Sequence, residues 1–113
     1  MTARPRAPGH LSTPARRLFT EVNTAFVLEP HDVAVLTKAL EAHDRAEQAR
    51  RIIDEEGLLT TTRFGEQKAN PAVQIERDSR SAFLAGMRQL RLDYEPISAT
   101  DRTAGARSVR WKT

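Results

Sequence analysis

The chain has 113 residues, 39% of them hydrophobic and 5% aromatic, with a net charge of +3 and no cysteine. One domain of this size buries only about two-thirds of its surface, and so little apolar material makes a thin core that favours an oligomer. Disulfides and thiolate metal sites are excluded. No apolar run nears the roughly 20 residues of a membrane span, and no apolar signal segment follows the basic N-terminus, so the reading is a soluble intracellular protein.

The charge is unevenly placed. Arg4, Arg6, Arg16 and Arg17 give residues 1–17 a charge of +4. Residues 96–113 carry Arg102, Arg107, Arg110 and Lys112 against Asp101, for +3, and the body between them is −4. Two basic tails on an acidic body fit a polyanionic partner reached by flexible arms; they fit equally well tails that only keep the chain in solution.

Residues 1–11, with Pro5, Pro8 and Gly9 and no period, read as a disordered basic arm. The stretch 12–96 reads as one helical domain for oligomerisation and DNA handling. It opens with Ser12 or Thr13 as a cap and Pro14 in a first turn, followed by Leu18, Phe19, Val22, Ala25 and Phe26 at helical spacing. That short amphipathic helix must dock on something. A second and longer helix begins near Pro30 and Asp32 and stops at Gly57. Val35, Ala39, Ala42, Ala46, Ala49 and Ile53 form a heptad-like seam, with Leu36, Leu40 and His43 widening one flank. Alanine in the seam permits close approach of another helix, within the subunit or between subunits. The acidic run Asp54-Glu55-Glu56 opposes the helix dipole, and a basic neighbour would compensate it.

Leu58 to Thr62 breaks the helical period with strand formers, and Gly65 suits a turn, so a small β-hairpin is predicted with strands near 58–62 and 66–69. Two strands alone are marginal in water, so the hairpin must pack on the helices or pair with a neighbour. Asn70 caps and Pro71 opens an amphipathic third helix. At about 100° per residue, Ala72, Ile75, Ser79, Ala82, Phe83, Gly86 and Leu90 share its apolar face. Arg77, Arg80, Arg88 and Arg91 share an adjoining stripe with Val73 and Leu84 among them. Residues 97–113 then read as a basic C-terminal tail, with Trp111 beside Arg110 as a candidate partner-docking anchor. The predicted fold class is mainly α: a short N-terminal helix, a long central helix, a small β-hairpin, an amphipathic third helix and flexible basic tails.

No catalytic pattern emerges. His10, His31 and His43 have no second partner at metal-ligand spacing, and His43 reads as a half-buried packing residue. There is no phosphate-binding glycine loop, and no serine is paired with a histidine by pattern. No enzyme activity, cofactor or metal is therefore expected. Helix-borne arginines at successive turns can track the phosphates of a duplex. The competing reading pairs them with acids of the second helix, such as Glu41, Asp44, Glu47 and Asp54, in surface contacts of small worth. Nothing in the stripe resembles a base-reading recognition helix.

The order of elements resembles the small subunit of phage terminases, in a compact family of tailed double-stranded DNA phages and prophages. The matching features run from Leu18 to Pro96: the short aromatic helix, the acid-led long helix (Asp32, Leu36, Leu40, Asp44), then "EEGL", "RFGEQKANPAV" and a helix ending in "LRLDYEP". Gly65 falls in the family's hairpin turn and Pro71 opens its next helix. Two positions depart from the family pattern: Asn70 stands where His usually precedes the proline, and Arg91 where Gly usually separates the two leucines. The resemblance implies a ring-forming, non-enzymatic packaging factor in the host bacterial cytoplasm, absent from the mature virion. Such a factor binds double-stranded viral DNA and recruits and regulates the large terminase subunit, which carries the ATPase and nuclease. On this reading Arg77, Arg80, Arg88 and Arg91, with Arg4, Arg6, Arg16 and Arg17, contact DNA, and a ring multiplies weak phosphate contacts. Two alternatives are a small helical sequence-specific DNA-binding regulator and an oligomerisation module that contacts only protein.

Overall fold

A computed structural model describes residues 4–92 and the backbone of Arg110 and Trp111. Helix α1 spans Thr13–Ala25, α2 Pro30–Glu56 and α3 Pro71–Leu90. The strands are β1 (Phe26–Val27), β2 (Leu59–Thr61), β3 (Gln67–Ala69) and β4 (Arg110–Trp111). The chain is mainly helical with a small antiparallel hairpin, as the periodicity requires.

Each helix starts on the expected chemistry. Ser12 caps α1 by accepting from the Ala15 amide at 3.2 Å, and Asn70 caps α3 by accepting from the Ala72 amide at 3.0 Å. Proline occupies the first turn of all three. Asn70 is buried and also donates its amide to the Gly57 carbonyl at 3.0 Å, so the cap of α3 is fastened to the end of α2.

Helices α2 and α3 form an antiparallel pair: Gly86 lies against Ala39, and three residues earlier Phe83 meets His43, four residues further along α2. A β-carbon built on Gly86 would stand 2.8 Å from the Ala39 β-carbon, so the glycine is what allows this approach. In the predicted seam Ala39, Ala46 and Ala49 are buried, and Val35, Ala42 and Ile53 half-buried. On α3 the inner face holds Ala72, Phe83, Gly86, Met87 and Leu90. At the margin of the predicted face Ala82 and Ile75 are exposed in the single chain, Ile75 by 46%. With only two helix layers along this stretch, a residue roughly 80–100° off the Phe83 direction has no third element to cover it.

The core lies toward one end of the pair. Phe19, Leu36, Leu40 and Leu90 are fully buried there, with Leu11, Ala15, Val22 and Phe26 around them. The basic arm expected over residues 1–11 is corrected in its last part, because Leu11 is 3% exposed and Ala7 packs on the same cluster. An aperiodic segment rich in proline and glycine still docks when one leucine finds an apolar slot, which is worth about 2 kcal/mol.

Strands β2 and β3 pair Leu59 with Ala69 and Thr61 with Gln67; β2 is one residue shorter than expected at each end, and β3 starts one residue late and ends at Ala69 as expected. Gly65 takes φ +85 at the turn. A two-residue ladder pairs Phe26 with Trp111 and Val27 with Arg110. The rest of the tail expected over 97–113 lies outside the described residues.

Candidate nucleic-acid interface

The arginine stripe follows from helical spacing alone, but its partners do not. Arg77 donates to Gln74 Oε1 at 2.7 Å, and Arg80 pairs with Glu76 at 3.1 Å, both within α3. Arg88 sits exposed in the last turn, where a cation suits the helix dipole. Arg91 is the C-cap in the left-handed region, φ 56 and ψ 44, with its amide donating to the Arg88 carbonyl at 3.0 Å. A position that demands positive φ favours glycine, which accounts for the residue usually found there in the family that the sequence resembles.

Four acids of α2 are held by groups outside this stripe. Glu47 and Asp54 pair with Arg50 at 3.0 and 2.9 Å. Glu41 pairs with His10 at 2.8 Å and with Lys38 at 3.4 Å. Asp44 accepts from the Ser12 hydroxyl at 2.5 Å and the Ser12 amide at 2.7 Å, with His43 at 3.2 Å. The pairs weighed in the alternative, Glu41, Asp44, Glu47 or Asp54 with Arg77, Arg80 or Arg88, do not occur among the described ion pairs.

These contacts tune the acids. Burial works to raise the Asp44 carboxyl, but the Ser12 hydroxyl and amide and His43 together outweigh it and hold it below the ordinary aspartate value. The His10 hydrogen bond leads in lowering Glu41, and the Arg50 hydrogen bond leads in lowering Glu47. No pattern in the sequence linked Ser12 or His10 to residues some thirty positions away; the only local signal was the cap itself.

Charge is polarised along the molecule. Leu90 lies in one cluster with Ala15 and Phe19, so the last turn of α3, with Arg88 exposed, and α1, with Arg16 and Arg17 exposed, both pack away from the acidic end of α2. Arg4 and Arg6 are exposed and precede Leu11, which docks in that cluster. Arg77 and Arg80 extend the basic stripe from Arg88 along α3. The acidic end carries Asp54, Glu55 and Glu56, all exposed. The side chains of the docking candidates Arg110 and Trp111 lie outside the description. Among the described residues no group of three or more acidic, histidine or cysteine side chains could hold a metal, and His43 packs edge-on against Phe83 at 5.3 Å. No described helix is long and apolar enough to cross a membrane.

No curated protein and no solved structure matches the chain. A family model described as "Phage terminase, small subunit" matches residues 16–103, from α1 past the end of α3. A match over that much of the sequence, on a helical pair joined by a capped hairpin, places this chain in the phage terminase small-subunit family.

Proposed function

We propose that the protein is a non-enzymatic, ring-forming adaptor of genome packaging that works in the host cytoplasm and is left out of the mature virion. It binds double-stranded viral DNA and recruits and regulates the large terminase subunit. The observation that carries the DNA reading is the exposed arginine stripe itself: Arg77, Arg80 and Arg88 line the solvent side of α3, and none of them pairs with Glu41, Asp44, Glu47 or Asp54 among the described ion pairs. Phosphate contacts of this kind give affinity without reading sequence. Arg4, Arg6, Arg16 and Arg17 extend the same surface, and repetition around an assembly raises the total affinity. Trp111 with Arg110 remains the candidate anchor for the large subunit. The family assignment supports the non-enzymatic reading.

The test is DNA binding against salt. Each phosphate contact contributes about 0.9 to the slope of log K on log salt. Replacing Arg77, Arg80, Arg88 and Arg91 with Gln therefore lowers the slope by up to about 3.6 per engaged subunit. An unchanged slope moves the DNA contact off α3. A footprint on one short palindrome would favour the sequence-specific regulator instead.

A further inference from the structure

The hairpin tip is built to display one ring. The Thr62 hydroxyl accepts from the amides of Phe64 and Glu66, both at 3.3 Å, and the Thr62 carbonyl accepts from the Gly65 amide at 2.9 Å. On this tied turn Phe64 is 78% exposed, the most exposed large apolar residue described, and the Arg63 guanidinium lies 5.0 Å from its ring centroid. A rigid aromatic with an adjacent arginine is the composition of an interface anchor. Solvent gives it nothing to anchor to.

The same chain carries a receptacle of matching chemistry. Where the N-terminal segment crosses α2, a cleft of about 430 Å³ opens between Pro14 and the α2 residues His43, Asp44, Glu47, Gln48 and Arg51. An apolar cavity of about 150 Å³ suffices for benzene, so the cleft has room for a phenyl ring and the head of an arginine. Pro14 and the His43 ring offer apolar surface; Asp44 is already held by Ser12 and His43, and Arg50 takes Glu47 through Oε2, so Glu47 Oε1 is the acceptor offered to an incoming guanidinium. At 78% exposure, Phe64 does not fill the cleft of its own chain.

We propose that Phe64 and Arg63 of one copy seat in the Pro14–His43–Glu47 cleft of the next copy. Knob and cleft use different residues, so the contact is heterologous and leaves a free knob and a free cleft at each step; such a contact closes into a ring when its rotation allows. The acidic end of α2 beside the hairpin makes DNA a poor occupant for this tip. The inference rests on the oligomeric reading above and specifies its surface. It does not use the arginine stripe of α3.

Native mass spectrometry and light scattering on the full chain test it, with circular dichroism confirming that each variant keeps its helices. Phe64→Ala removes the knob, and Gln48→Trp, at an exposed position, obstructs the cleft. Each variant alone is expected at the single-chain mass of 12.7 kDa, with the concentration needed for assembly raised roughly a hundredfold or more. Mixed, the Phe64→Ala chain keeps a cleft and the Gln48→Trp chain keeps a knob, so one contact forms and the product stops at a heterodimer. An assembled parent whose Phe64→Ala variant assembles equally well overturns this contact and leaves the oligomeric reading standing. A mixture that stays monomeric also overturns it. A parent that is itself monomeric overturns both.

Discussion

Gly86→Ala should destabilise the protein although it improves the helix. Alanine in place of glycine in a helix interior gains about 1 kcal/mol. Here the new methyl would meet the Ala39 β-carbon at 2.8 Å, with the Ala39 α-carbon 3.6 Å away, and neither atom belongs to a side chain that can swing aside. Separating α2 from α3 loosens the seam of Ala46, Ala49 and Phe83, and forcing an extra methylene-sized group into a packed contact costs about 1–3 kcal/mol. The net expectation is a loss of up to about 2 kcal/mol by urea denaturation. A double-mutant cycle sharpens the reading, because Ala39→Gly removes the clashing methyl. In the Ala39→Gly background Gly86→Ala should become favourable, with a coupling energy of about 1 kcal/mol or more. If Gly86→Ala stabilises the parent by about 1 kcal/mol and the two changes are additive, the close approach is not what the glycine serves.

Arg91→Gly should raise the melting temperature, since it relieves a non-glycine residue held at φ 56, a cost of roughly 1 kcal/mol; no change would show that the helix exit relaxes freely. Removing residues 1–6 should leave stability unaltered, whereas removing 1–11 takes out the buried Leu11 and should cost about 2–5 kcal/mol in denaturant titration; equal effects would dissolve the docked segment. Asn70→Ala loses the α3 cap and leaves the Gly57 carbonyl without its donor, for an expected loss of about 1–3 kcal/mol. Asp44 is held below its ordinary value in the folded chain, so the stability it contributes is present above about pH 4, the unfolded aspartate range, and is lost as pH falls through the lower folded value. Asp44→Asn should flatten acid unfolding in that window, and an unaltered acid limb would assign the tie of α1 to other groups.

Much of the architecture was legible because it depends on short-range rules. Ser12, Asn70 and the three prolines mark helix starts whatever the helices pack on, and the run Leu58 to Thr62 with Gly65 turns a hairpin by local dihedral preference. The arginine stripe was equally local, being set by helical pitch. The exposed margin of α3 was not legible: Ile75 and Ala82 lie within a plausible apolar face, and only the path of α2 decides which degrees of that face are covered. Leu11 was missed for a related reason, since a lone leucine in an aperiodic segment carries no period to reveal its slot.

What the chain's order of residues determined on its own is the list of elements, their caps, the lack of a catalytic pattern and the basic stripe, all consequences of neighbours within a turn or two. Tertiary structure decided which charges are neutralised and which are not. Arg50, His10 and Ser12 hold Glu47, Asp54, Glu41 and Asp44 of α2, while Arg77 and Arg80 find their partners, Gln74 and Glu76, within α3. It also decided that Leu90 and Phe19 share one core, which seats α1 and the last turn of α3 on the same cluster and leaves Phe64 exposed at the hairpin tip. Those outcomes depend on distances between residues far apart in sequence, and a linear pattern holds no information about them until the helices have packed.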